Sequence, residues 1–478
     1  MLCRGGARAA QEGGWFTVRA KPLRITYVLP ETFSVGRGAL RGPRIANGGP
    51  AFWIDNRLQM MMKTLNRKNI GLLLSVIGPG IIVMMADNDA GGIATYSSAG
   101  ARYGYRILWI LVPASVLMFM VQEMNARMGV VTGKGLADLI REEFSLRLTA
   151  LIMLAMFIAN YSNTVSNFAG IAASSELFGI PRFFAVPVAS LLVWLIVLKG
   201  NYKKTEMVFL LVSIVYVAYL VSAFLAKPDW GEVAKGAFVP SWQWDASYII
   251  MAVTMIGTTV APWEDFFQQS SVVDKGLGAK DLRFEQIDTA LGSVFLTISA
   301  AAIVICCAAA FFNKPGVGAT QITSAEQAAK ALAPVAGKYA SYLFAFGLLF
   351  ASLFSATIMP LTTTYMVCEA FGWERGLDRS FREAPRFYVI YTFLVWGSAA
   401  VILIPGMPLV AIMILSQTIN GLILPVILTC MLRIVRNREL MGSFTYGDLY
   451  YRVVWVTVGL LYVLDFLVLA STILPIGS

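Results

Sequence analysis

From Ile70 almost to the C-terminus, apolar residues run in blocks of about twenty, separated by short charged gaps. Blocks of that length match a hydrocarbon layer about 30 Å thick. Eleven such spans can be drawn, near 70–96, 107–127, 147–178, 183–198, 205–226, 246–271, 286–312, 338–368, 386–404, 408–432 and 452–475. The pattern predicts an all-α polytopic membrane protein with a transmembrane domain over 63–478. Residues 1–62 are rich in Gly and Arg and have no apolar core for a cleaved signal, so a disordered extension is expected there. Met60, Met61 and Met62 offer starts just before the first span.

Two spans are interrupted. The first carries Ala86-Asp87-Asn88-Asp89-Ala90-Gly91-Gly92 in an otherwise apolar run. Carboxylates at that depth are costly, and the glycine pair weakens the helix beside them. The sixth carries Gly257-Thr258-Thr259-Val260-Ala261-Pro262-Trp263-Glu264-Asp265, where Pro262 removes a backbone donor. Breaks five spans apart point to an inverted repeat of two five-helix halves plus one further helix, with the site between the breaks. No basic residue lies in the central part of either span to neutralise Asp89, which makes it a candidate cation ligand. Asp87 either joins it or simply caps the break.

Composition narrows the picture. The chain of 478 residues is 57% hydrophobic and 14% charged, where soluble proteins carry about 25% charged residues. Its mean hydropathy is +0.68. Six of the ten net positive charges arise before Met60, which fits a cytoplasmic flank and not a nucleic-acid surface. With the N-terminus inside, eighteen basic residues fall in cytoplasmic gaps against eight outside. The positive-inside rule therefore predicts a cytoplasmic N-terminus and, after eleven spans, an extracytoplasmic C-terminus in the plasma membrane. Glu123 and Glu369 lie near cytoplasmic ends, where solvent or loop arginines would satisfy them. The five cysteines have no metal-like spacing and read as small core residues. There is no histidine, so no imidazole relays a proton. Without a nucleophile or ligand-cluster motif, no enzymatic activity and no cofactor are expected.

These motifs resemble the natural resistance-associated macrophage protein (NRAMP) family of divalent-metal transporters, from about Gly78 to Leu432. Asp89-Ala90-Gly91-Gly92-Ile93-Ala94-Thr95 aligns with the family's Asp-Pro-Gly-Asn-Trp-Ala-Thr. Gly257-Thr258-Thr259-Val260-Ala261-Pro262-Trp263 aligns with Gly-Ala-Thr-Val-Met-Pro-His, and Leu415-Ser416-Gln417 with Leu-Ser-Gln. The resemblance implies a LeuT-type fold. It also implies an ion held by the Asp89 carboxylate, the carbonyls of Ala86 and Thr258, and the Gln417 amide. Asp87, Thr259, Trp263 and Glu264 would stand around these ligands.

The departures carry chemistry. The family's coordinating Asn is Gly92 here, its methionine is Ala261, and its His is Trp263. Losing a thioether removes a soft donor and leaves an all-oxygen site. The smaller side chains are expected to leave room for retained water, which suits Mg²⁺. Asn163 and Ser166 stand where the family places acids along its proton route. These changes resemble a magnesium-transporting branch and imply uncoupled, potential-driven carriage of Mg²⁺, with Mn²⁺ tolerated. Two alternatives stand: proton-coupled Mn²⁺/Fe²⁺ transport through Glu264 or Asp265, and cation-coupled carriage of an organic solute such as an amino acid. Tyr161, Asn163 and Asn167 either line a vestibule or bond between helices. The partners expected are divalent ions and lipid, with a monomer the expected state and no nucleic acid.

Overall fold

Short polar side chains start several of the helices that the apolar blocks sustain. The computed structural model describes residues 86–199, 217–312, 338–377 and 379–473, together with Val83. Asp89, Ser145, Asp229 and Asp245 each accept a backbone N–H from the turn that follows them. The first half of span one, most of span five, Cys3 and the 1–62 extension lie outside the described residues.

α1 (Ala90–Tyr103) and α2 (Leu111–Thr132) bracket a 3-10 stretch, Gly104–Ile110. Gly104 takes φ +63°, a value that favours glycine, and turns the chain without a loop. The expected gap between spans one and two is therefore absent. α3 (Leu136–Glu143) precedes α4 (Leu146–Leu177), α5 (Arg182–Lys199), α6 (Val217–Leu225) and α7 (Trp230–Phe238). α8 (Ala246–Thr259) and α9 (Pro262–Asp274) are the two halves of span six. α10 (Leu282–Phe311), α11 (Lys338–Phe371), α12 (Pro385–Ile402), α13 (Leu409–Arg436) and α14 (Asp448–Ile473) complete the order, with short turns at Ala279–Asp281, Arg438–Met441 and Gly442–Phe444. Among the described residues, nine helical stretches are long and apolar enough to cross a membrane, Ala90–Thr132 counting as one.

The structure adds α3 and α7 to the expected helices. They have 8 and 9 residues, too few for a span, and sit in charged gaps. α3 turns Leu136, Leu139 and Ile140 inward against α11, so burial of one face sustains it.

Helix packing follows a pseudo-twofold pattern. The first span packs on the seventh (α1 on α10), and the sixth packs on the second (α9 on α2). Span three packs on span ten, and span eight on the end of span five. Adding five to each span number turns one pair into the other, as an inverted repeat requires. Polar side chains such as Asn160, Asn163, Asn167, Thr258 and Glu264 are buried at the centre, while α14 exposes Val456, Leu460, Val463 and Phe466. That distribution inverts the soluble pattern, because lipid is the solvent. Cys306, Cys307, Cys368 and Cys430 are buried free thiols, as expected.

Close backbone approach holds α8 against α13. A Cβ on Gly257 would lie 2.3 Å from Gly421 N and 2.5 Å from the Gln417 carbonyl oxygen. Gly257→Ala is expected to force these helices apart at a cost of about 1–3 kcal/mol. Scanning fluorimetry in detergent should show a lower Tm, and an unchanged Tm would contradict the contact.

Candidate cation site

The break in the first span frees backbone oxygens on one side of Asp89. Ala90 N–H donates to Asn167 Oδ1 at 3.2 Å, so the Ala86 carbonyl loses the donor four residues on. Ser355 Oγ donates to that carbonyl at 2.7 Å, and one lone pair remains. Asp87 keeps helical backbone, Asn88 and Asp89 form the bend, and helix resumes at Ala90. The capping carboxylate is that of Asp89 and not, as allowed above, that of Asp87. Asp89 Oδ1 accepts from Gly92 N at 2.7 Å and from Gln417 Nε2 at 3.0 Å. Asp89 Oδ2 accepts from Asn167 Nδ2 at 3.2 Å. The residue is 1% exposed, and among the described residues no arginine or lysine pairs with it.

The sixth span breaks for a different reason. Thr258 has Pro262 four residues on, and proline has no N–H to give its carbonyl. Ala261 N–H turns to Glu264 Oε1 at 3.3 Å, which frees the Gly257 carbonyl as well. Thr258 Oγ1 is buried without a hydrogen-bond partner. It lies 3.1 Å from where a Cβ on Gly92 would stand, so the two breaks face each other.

Among the described residues, no three acidic, histidine or cysteine side chains converge into a metal cluster. Among the described residues, the groups around the Asp89 carboxylate carry carbonyl, hydroxyl and amide oxygens. Such a donor set suits hard ions. Gln417 reaches Asp89 but presents nitrogen to it, not oxygen. The room expected at Gly92 is taken: a Cβ there would sit 2.9 Å from the Asp87 carbonyl, because the neighbouring backbone closes in.

The remaining expected residues fall around this centre. Ala261 and Trp263 are buried at the start of α9, and Thr259 Oγ1 lies 2.9 Å from the Tyr96 hydroxyl. Asp87 and Glu264 are both buried beside the breaks. Gln122 Nε2 donates to Glu264 at 2.7 Å, and Asn125 Nδ2 to Asp265 at 2.6 Å. Asn163 does not reach Asp89 but pairs with Asn420 at 2.9 Å, while the Ser166 hydroxyl is buried without a partner. Ser355, Asn420, Gln122 and Asn125 were not foreseen as neighbours of the site. Their only trace in the sequence is spacing: Asn420 follows Gln417 by three residues, and Asn125 follows Gln122 by three.

The two sides of the site differ. A cavity of about 610 Å³ runs between α1, α8 and α13, past Arg102, Ser98, Met251 and Ile414. Its inner lining includes Thr254 and Thr418, whose hydroxyls bond at 2.8 Å. On the opposite side, Glu369 accepts from Ser270 Oγ at 2.6 Å and pairs with Arg375 at 3.4 Å. Arg375 also grips Asp138 at 2.6 Å, and Glu123 pairs with Arg127 at 2.5 Å. Both glutamates are buried and paired with arginines, rather than solvated.

Asn167 supports the break twice, through Ala90 N–H and Asp89 Oδ2. Asn167→Leu leaves both groups unpaired at a cost of about 1–3 kcal/mol each. A reduced Tm is expected, with weakened cation binding by titration calorimetry; full retention of both would deny Asn167 this role.

A family model described as natural resistance-associated macrophage protein-like matches residues 80–471. The divalent metal cation transporter MntH 1 of Pseudomonas aeruginosa is 30% identical over 390 residues, 77% of this chain and 85% of that protein. The transporter MntH of Verminephrobacter eiseniae is 28% identical over 392 residues, 79% of this chain and 85% of its own length. Among solved structures, an Eremococcus coleocola manganese transporter superposes with a TM-score of 0.69 at 24% identity, over 84% of this chain and 87% of that one. MhsT in complex with L-phenylalanine gives a TM-score of 0.50 at 15% identity, over 86% and 98% of the two chains. These likenesses establish a fold of the LeuT type. With the family model covering most of the length, the chain belongs to the natural resistance-associated macrophage protein family of membrane transporters.

Proposed function

We propose that this transporter carries divalent cations through the gap between the two breaks, Mg²⁺ foremost and Mn²⁺ also. The single observation that carries the proposal is Asp89, a buried carboxylate set among freed carbonyls. Relatives called divalent metal cation transporters support the cargo class. Ala261 and Gly92, in place of the thioether and amide of the family motif, support the shift toward hard ions. Ions enter from the cavity lined by Arg102 and Ser98, and the excess of basic residues in the opposite gaps supports an extracytoplasmic position for that side. Transport runs down the membrane potential. A divalent ion gains about 4–5 kcal/mol from 100 mV, enough for uptake without a co-ion.

One observation favours a second reading, proton-coupled Mn²⁺ or Fe²⁺ transport. Two further carboxyl groups, Asp87 and Glu264, are buried beside the breaks and could carry a proton. In proteoliposomes the first reading predicts saturable Mg²⁺ influx, abolished by Asp89→Ala and accompanied by no lumenal acidification. Metal-driven proton entry that Glu264→Gln removes would establish the second instead. Ala261→Met restores a soft donor and is expected to raise Mn²⁺ or Cd²⁺ flux relative to Mg²⁺. An unchanged ratio in competition uptake would remove Ala261 from the selectivity argument.

A further inference from the structure

Asp89 is the end of a line of buried side-chain amides. Gln417 Nε2 donates to Asp89 Oδ1 at 3.0 Å, and Asn420 Nδ2 donates to Gln417 Oε1 at 2.8 Å. Asn420 and Asn163 exchange two further bonds, of 2.9 and 3.3 Å. None of the three amides is more than 2% exposed.

An ion on Asp89 needs oxygen from Gln417, not the nitrogen it presents. Turning Gln417 alone would set its nitrogen against Asn420 Nδ2, two donors with no acceptor between them. Gln417 already lies directly over Gly91, where a Cβ would stand 2.2 Å from its Nε2, and a turn in place keeps that packing. The two ends of a carboxamide are nearly equal in size, so all three can turn over in place. Reversed together, Gln417 donates to Asn420, and Asn420 and Asn163 keep both mutual bonds with donor and acceptor exchanged. The one contact that changes is at Asp89, where oxygen then faces oxygen across the site of a cation.

We propose that Asn420 and Asn163 are positioning residues for the transported ion, and that a concerted reversal of this amide line turns the Gln417 oxygen onto a cation at Asp89. The proposal rests on the reading of Asp89 as the ion's carboxylate and adds what controls its amide ligand. A line of carboxamides needs no titration, so it links ion arrival to α4 and α13 without moving a net proton.

Asn420→Asp supplies a side chain that, ionised, only accepts. It holds the Gln417 nitrogen and leaves its oxygen toward Asp89. Titration calorimetry of Mg²⁺ into the full chain, at pH 7 and pH 9, is expected to show binding about tenfold tighter than in the parent, the weight of one buried hydrogen bond. In a Gln417→Met background the added charge persists but no amide remains to orient, and the gain should fall below about threefold. Asn163→Asp acts through the same line from one amide further away, and its gain should vanish in an Asn420→Leu background. Equal gains in paired backgrounds, or no gain from either aspartate at either pH, would overturn the relay. Asp89→Ala separates the two claims. Mg²⁺ binding that survives it defeats the site itself. Binding lost there, with no coupling between Asn420 and Gln417, keeps the site and defeats the relay.

Discussion

A carboxylate buried in the middle of a membrane must be satisfied without water, and that demand organises the rest of this molecule. Asp89 meets it with neutral donors: a backbone N–H from Gly92 and amides from Asn167 and Gln417. A fixed counter-ion would satisfy it more strongly but would occupy the place of a mobile cation. Neutral donors leave the charge available. The same amide of Asn167 that reaches Asp89 also takes the Ala90 N–H, so the device that solvates the carboxylate is the one that frees the Ala86 carbonyl.

The two breaks reach similar ends by different means. In α1 a side chain from another helix draws off the backbone donor, whereas between α8 and α9 Pro262 never offers one. Their meeting depends on glycine. Gly91 admits the Gln417 amide, Gly92 admits the Asp87 carbonyl and the Thr258 hydroxyl, and Gly257 lets α8 touch α13. Polar groups from α4, α8, α11 and α13 thereby gather around the broken first span, although no cluster of acids forms among the described residues.

The structure is asymmetric about the site. The cavity reaches toward Thr254 and Thr418 from one side, while ion pairs and hydrogen bonds of Glu369, Arg375 and Asp138 tie α9, α11 and α3 together on the other. Alternating access in this fold needs such a latch to open as the opposite cavity closes.

Hydrophobic block length and two interrupted spans were enough to read the helical class, the broken pair and Asp89 from the chain itself, because a bilayer imposes one solution on any apolar run of that size. Charge was less decisive: position left Glu123 and Glu369 either solvated or paired with arginines, and packing chose the arginines. Short helices such as α3 were not legible, since eight residues carry too little periodicity. Nor was the loss of the gap after α1, which turns on Gly104. The company around Asp89 belonged to the tertiary structure alone. Asn167, Ser355 and Asn420 are ordinary polar residues in apolar helices, and only the packing of α4, α11 and α13 onto the broken span aims them at one point. Local sequence decides where a helix must break, but which donors and acceptors complete the break depends on contacts hundreds of residues apart.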